Sequence, residues 1–265
     1  MAAARLGYPT TFLGQVGTDA NAQLLRASLA AAGVDLGHLR EVPGASGTAL
    51  IFLQPGGENS IIIVGGANTD AWALGPATSE LLASAGAVLL QREIPEEVNL
   101  AVARIAAAAG VPVLLDAGGQ DAALDPALVA ALALLSPNET ELARLTGMPT
   151  DTIERVEAAA RALQASGAGD VLAKLGSDGS FLVPRGAGSA TVRQHIVRAP
   201  KVVDTTGAGD CFTAAYTVAT LEGKTPAAAL LFASAAASIC VTRKGAQPSM
   251  PSRAEVDALV AAQKK

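Results

Sequence analysis

Apolar positions along this chain fall into short runs punctuated by glycine, and between the runs they recur at helical spacing. Short bounded runs read as buried strands, and recurrence every three or four residues reads as helix. Residues 10–16 form one such run, followed by a Gly17-Thr18-Asp19 turn and a helix over 20–32 that Gly33 ends. Residues 47–53 and 60–64 are two more, joined by Gln54-Pro55-Gly56-Gly57-Glu58-Asn59, a reversal signal that predicts an antiparallel hairpin. From residue 87 the two periods alternate: strand 87–91, helix 96–109, strand 113–116, helix 125–131, strand 132–135, helix 139–146. Alternation of this kind predicts an α/β fold, a mostly parallel sheet covered by helices on both faces. A helix over 152–166 capped by Asp151, a hairpin of 171–175 and 179–183, and a strand over 190–197 follow. Helices over 210–222, 226–241 and 252–263 close the chain, the last opened by a Ser252/Glu255 capping box. Residues 1–9 read as the last turn of a helix closed by Gly7, whose earlier part is absent.

Composition narrows the reading. The 265 residues are 50% hydrophobic and 16% charged, which suits one domain spanning 1–265. A net charge of -5 leaves no basic footprint, so the expected partners are small molecules, with neither nucleic acid nor membrane among them. The uncharged run 225–242 is rich in Ala and Ser and reads as a helix buried among other helices. Cys211 and Cys240 show no disulfide or metal spacing and read as buried small residues in a reducing, cytoplasmic setting, with organellar targeting left open by the apparent incompleteness of the N-terminus.

Candidate chemistry concentrates in Asp204-Thr205-Thr206-Gly207-Ala208-Gly209-Asp210. Two glycines let backbone N–H groups approach a ligand, and the helix that follows adds the partial positive charge of its N-terminus. Asp210 then reads either as a helix cap or as a base that takes a proton from a hydroxyl beside an anion site. In open parallel sheets ligands bind beyond the carboxyl ends of strands, which adds Glu93, Asp116, Asn138 with Glu141, and Gly176 to Gly179. Each has a plainer reading: Asn138-x-x-Glu141 as a capping box, Gly176-Ser177-Asp178-Gly179 as a turn, Glu93 as a solvated loop residue, Asp116 as a turn or cap. His38 and His195 stand alone, and neither a P-loop nor a Gly-x-Ser-x-Gly elbow occurs.

These residues carry a family likeness. Asp204 to Asp210 resembles the second signature of the ribokinase-like (PfkB-type) carbohydrate kinases, and Asn138-Glu139-Thr140-Glu141 resembles their Asn-x-x-Glu element. Val241-Thr-Arg-Lys-Gly-Ala-Gln-Pro-Ser249 is similar to the ribokinase branch of that family. The resemblance implies a three-layer α/β/α sandwich with a small β lid at about 47–64, and ATP-dependent phosphorylation of D-ribose at its 5-hydroxyl. It implies Asp210 as base, an anion hole from Gly207, Ala208 and Gly209, and Glu93 on the sugar side. Asn138 and Glu141 would lie by the phosphates and Mg²⁺; Lys174, Leu175, Gly176, Ser177, Asp178, Gly179 and Ser234 would line the nucleotide. Asp204, Thr206, Cys240, Arg243, Gly245 and Ser249 match positions that hold a monovalent cation, K⁺, and the lid implies a homodimer. The family's first sugar-binding segment and its Gly-Gly-Lys-Gly-Ala-Asn element are absent from this sequence, which predicts an N-terminal truncation. A deoxyribokinase-like sibling and a non-catalytic nucleotide-binding remnant are the alternatives; a dinucleotide-dependent oxidoreductase would want its glycines after the first strand.

Overall fold

The computed structural model describes residues 1–53, 59–186 and 188–263. Strand β1 (Gly14–Val16) pairs in parallel with β2 (Leu39–Glu41), and β3 (Thr48–Leu53) pairs antiparallel with β4 (Asn59–Val64). The alternating region builds β5 (Val88–Leu90), β6 (Val113–Asp116), β7 (Leu134–Ser136), β8 (Asp170–Lys174), β9 (Ser180–Val183) and β10 (Val192–Gln194) into one six-stranded sheet. Its order is β10-β9-β8-β7-β6-β5, with β5 to β8 parallel and β9 and β10 antiparallel additions at one edge. The fold is therefore the α/β sandwich that the pattern predicts.

Both faces of this sheet are buried, because successive strand residues point to opposite sides. Leu115, Leu135, Val171 and Ala173 pack into one core with helices Glu96–Ala108 and Ile153–Ala165. Leu114, Leu134, Leu172 and Leu182 pack into another with helices Ala208–Leu221 and Pro226–Cys240. Truncating one of these leucines to alanine in such a core costs about 2–5 kcal/mol. Both cysteines are buried in the second core, and no helix among the described residues is long and apolar enough to cross a membrane.

Several expectations need correction. Of residues 10–16 only Gly14–Val16 pairs as a strand, with Thr11 making an isolated bridge to Asp35. The strand predicted at 132–135 sits at Leu134–Ser136, since Leu132 still closes the preceding helix by donating to the Val129 carbonyl. Thr152, not Asp151, caps helix Ile153–Ala165: the Thr152 hydroxyl accepts from the Arg155 amide, while Asp151 is drawn to the Arg155 guanidinium at 2.7 Å. The strand at 190–197 shortens to β10. Helix Pro76–Ser84 was not anticipated, although Pro76 at its first turn is a start signal. The hairpin is as predicted, while residues 54–58 of its connecting turn lie outside the described residues.

Candidate active site

Three neighbouring parallel strands end on polar residues or lead straight into them. Strand β6 ends on Asp116, β7 ends on Ser136 just before Asn138, and β8 ends on Lys174. Across them lies the N-terminus of helix Ala208–Leu221, which begins two residues earlier than predicted. Gly207 makes that possible: it caps the helix at φ +77, a left-handed conformation costly to any residue with a Cβ, and a Cβ there would also crowd Met250 and Ala246 at 3.1 and 3.2 Å.

Between these elements opens a cleft of about 430 Å³. It brings together eight residues singled out from the sequence: Gly207, Gly209 and Asp210 from one side, Asp116, Asn138, Glu141, Lys174 and Gly176 from the other. Ala208 is not among its lining residues, because its amide is turned to the Thr205 carbonyl at 3.1 Å. The amides that open a helix have no intrahelical partner, which leaves those of Gly209 and Asp210 as donors for an anion.

For Asn138 and Glu141 the capping and site readings both hold. Glu141 accepts from the Asn138 amide at 2.7 Å and side chain at 2.9 Å, and Asn138 accepts from the Glu141 amide at 2.8 Å. Each Glu141 oxygen keeps a free lone pair, so this carboxylate fits a magnesium ion's water shell.

Asp210 faces the open cleft, yet the protein around its carboxyl raises its pKa by desolvation, and the charge of Asp116 adds to the rise while Lys174 opposes it. Glu93 sits beneath the loop at Gly119, where a Cβ would come 3.1 Å from its carboxyl carbon. Burial and the charge of Asp210 push its pKa up to about 7. Arg92 fixes that loop, donating to the carbonyls of Gln120, Ala122 and Ala123 at 2.8 to 3.3 Å.

The remaining predicted residues divide. Leu175 faces the core, Ser177 and Asp178 are exposed on the Gly176–Asp178 turn, and Gly179 at φ +94 admits the close passage of the Gln194 carbonyl. Ser234 is buried away from the cleft lining, its hydroxyl accepting from the Val197 amide at 2.9 Å. The residues matched to a cation site do converge. Asp204 accepts from the Thr206 and Gly245 amides at 2.9 and 2.8 Å; the Thr206 side chain first, then these amides, hold its pKa down at about 2, and Cys240 lies 3.0 Å from the Ser249 hydroxyl. The Arg243 side chain turns away to pair with Glu255, leaving only its backbone to face the loop. An ionised Asp204 carboxylate and the hydroxyls of Thr206 and Ser249 are oxygen donors of the kind a hard cation takes.

Asp116 is the residue whose plain reading as a turn or cap falls short. It does accept from the Gly118 amide at 3.3 Å, but its other oxygen receives Lys174 at 2.5 Å and the Thr213 hydroxyl at 2.9 Å. The available signal was an acidic residue ending a wholly buried strand.

The profile of the pfkB family carbohydrate kinases matches residues 1–253. The chain belongs to that family. It is 49% identical to ribokinase of Arabidopsis thaliana over 258 residues, covering 96% of this chain and 68% of the relative. It is 33% identical over 257 residues to a deoxyribokinase of Salmonella typhi, covering 95% of this chain and 82% of that relative. A solved structure of the Arabidopsis ribokinase complexed with ribose and ATP superposes at a TM-score of 0.94 with 48% identity, covering 98% of this chain and 84% of that one. The protein is thus a sugar kinase, and the cleft at the strand ends is its candidate active site.

Proposed function

We propose that this sugar kinase transfers the γ-phosphoryl group of ATP to the 5-hydroxyl of D-ribose, giving ribose 5-phosphate and ADP. The observation that carries the reading is the joint presence of Asp210 and the open amides of its helix in one cleft with Asn138, Glu141 and Lys174. Asp210 takes the proton of the attacking hydroxyl, and its raised pKa makes it a stronger base than an ordinary aspartate. The Gly209 and Asp210 amides meet the charge on the transferring group, which is where phosphoryl transfer needs stabilisation. Glu93, close enough to Asp210 to feel its charge, orients the sugar. Asn138 and Glu141 would hold the water shell of Mg²⁺, which supplies charge neutralisation on the phosphates. Asp204, Thr206, Cys240, Arg243, Gly245 and Ser249 would hold K⁺, ordering the loop that leads into Asp210. The hairpin of β3 and β4 serves as a lid and as the contact of a homodimer.

The test is sugar-dependent ADP release in buffers with Mg²⁺ and with or without K⁺, across D-ribose, 2-deoxyribose, fructose and adenosine. Highest kcat/KM for ribose, with K⁺ activation, is expected. Preference for 2-deoxyribose would move the assignment to the deoxyribokinase branch, and ATP binding without turnover of any sugar would overturn it.

A further inference from the structure

Among the residues lining the cleft Lys174 is the one basic side chain, set against the carboxylates of Asp116, Glu139, Glu141 and Asp210. Lys174 Nζ reaches Asp116 at 2.5 Å, and its side chain is only 14% exposed. A Cβ placed on Gly209 would rest 3.5 Å from that same Nζ, so the ammonium lies against the turn that presents Asp210. An ammonium has three donors, and Asp116 takes one.

What holds Asp116 is itself built in sequence. Its carboxylate accepts from the Thr213 hydroxyl, so the one Thr213 proton is spent there. The contact between Ser136 and Thr213 at 3.2 Å must then run from the Ser136 hydroxyl to Thr213. Ser136, Thr213 and Asp116 are 0%, 5% and 7% exposed, and they belong to β7, helix Ala208–Leu221 and β6. One buried chain of hydrogen bonds thus ties two strand ends to the helix carrying Asp210 and finishes on Lys174. A salt bridge whose only task was stability would gain little from such placement, because a buried pair is often no better than an apolar one.

We infer that Lys174 is a fixed cationic arm of the anion site, donating to the oxygens of the transferring γ-phosphoryl group, and that Asp116 is the positioning residue that aims it. The inference rests on the kinase reading above and deepens it. A triphosphate entering beside Asp210, Asp116 and Glu141 meets like charges, and Lys174 is the cation in the cleft lining that offsets them. As charge spreads over the phosphoryl oxygens in the transition state, a preplaced point charge acts more on kcat than on nucleotide binding.

The experiment compares Lys174→Met, Lys174→Arg, Asp116→Asn and the double variant Asp116→Asn with Lys174→Met, measuring thermal unfolding, ATP-analogue affinity and steady-state kinetics with ribose. Lys174→Met is expected to lose roughly a hundredfold to a thousandfold in kcat, as for loss of one transition-state donor, with KM for ATP changed much less. Lys174→Arg keeps the charge and recovers part of that loss. The double variant removes both buried charges, so it regains the melting temperature that the single variants lose while its kcat stays low. A double variant that folds like the parent and turns over like it would make the pair purely structural and overturn the inference. A parent protein that phosphorylates no sugar overturns the kinase reading instead, so the two failures are distinguishable. Should the double variant not fold, the kcat split between Lys174→Met and Lys174→Arg decides alone: equal loss in both rejects the cationic arm.

Discussion

The cleft at the ends of β6, β7 and β8 and the hairpin of β3 and β4 are built on opposite principles. In the cleft, polar groups are partnered before any ligand arrives: Asp116 holds three donors, Asn138 and Glu141 hold each other, and Asp204 holds two amides. In the hairpin, apolar groups are left open. Leu50, Ile62, Ile63 and Val64 are 49%, 52%, 56% and 50% exposed, and because Ile62 and Ile63 are consecutive they point to opposite faces. A lone two-stranded hairpin is marginal in water, and this one offers hydrophobic surface on both sides. Preorganisation is what phosphoryl transfer requires, since its barrier is lowered by groups fixed in place. A lid instead gains by leaving its stabilising contacts to be made on closure or assembly. The molecule separates a cleft whose polar groups are already paired from a hairpin whose apolar groups are open.

The strongest way to break this contrast is at its rigid end. Asp210→Asn keeps the shape of the turn and removes the base, so kcat is expected to fall roughly a hundredfold to ten-thousandfold, while ATP-analogue affinity, read by calorimetry, stays near that of the parent. Near-parental kcat in that variant would leave the cleft preorganised for binding alone.

At the other end, Ile62→Glu puts a carboxylate on the hairpin face that carries its cross-strand partner Leu50. Burying that charge in an apolar contact costs several kcal/mol, so the dissociation constant of a lid-mediated dimer should rise by about a hundredfold or more. Sedimentation velocity reads this directly, and ribose KM should rise while the kcat at saturation is retained. An unchanged sedimentation profile would remove the hairpin from the interface.

Legibility in the sequence followed the same division. The strands of the large sheet were readable because burial on both faces makes them near-continuous apolar runs, as in Val113-Leu-Leu-Asp116, and their helices because the period is regular. Gly207 to Asp210 could be located, and the resemblance gave it a role, but that Ala208 turns its amide away depends on a Thr205 carbonyl no spacing reveals. Asp116 was visible as a strand end and undervalued, because its importance comes from Lys174 and Thr213, 58 and 97 residues away. Asp151 and Thr152 are two good capping residues side by side, and the local i,i+4 pairing of Asp151 with Arg155 leaves the cap to Thr152. Ser234 was legible only by resemblance; its hydroxyl accepts from the Val197 amide 37 residues away, a contact no spacing reveals.

Glu93, close to Asp210, tests the cleft side of the contrast with the smallest expected effect. Its folded pKa of about 7 stands above the ordinary glutamate value of 4.5, so the folded chain keeps a proton that the unfolded chain has lost across the window between them. Stability therefore falls as pH rises from about 5 to about 7 and levels off above, because the native state binds more protons than the unfolded state in that interval. Glu93→Gln removes this titration. The variant is expected to match the parent near pH 5 and to melt a few degrees higher at pH 8, where the parent bears a partly buried charge beside Asp210. The same substitution should flatten the dependence of ribose KM on pH near neutrality while leaving the pH dependence of kcat that the Asp210 base sets. If the neutral limb persists in Glu93→Gln, the titrating group is Asp210 itself, held high by desolvation and the charge of Asp116, and Glu93 is not where the sugar's recognition is tuned.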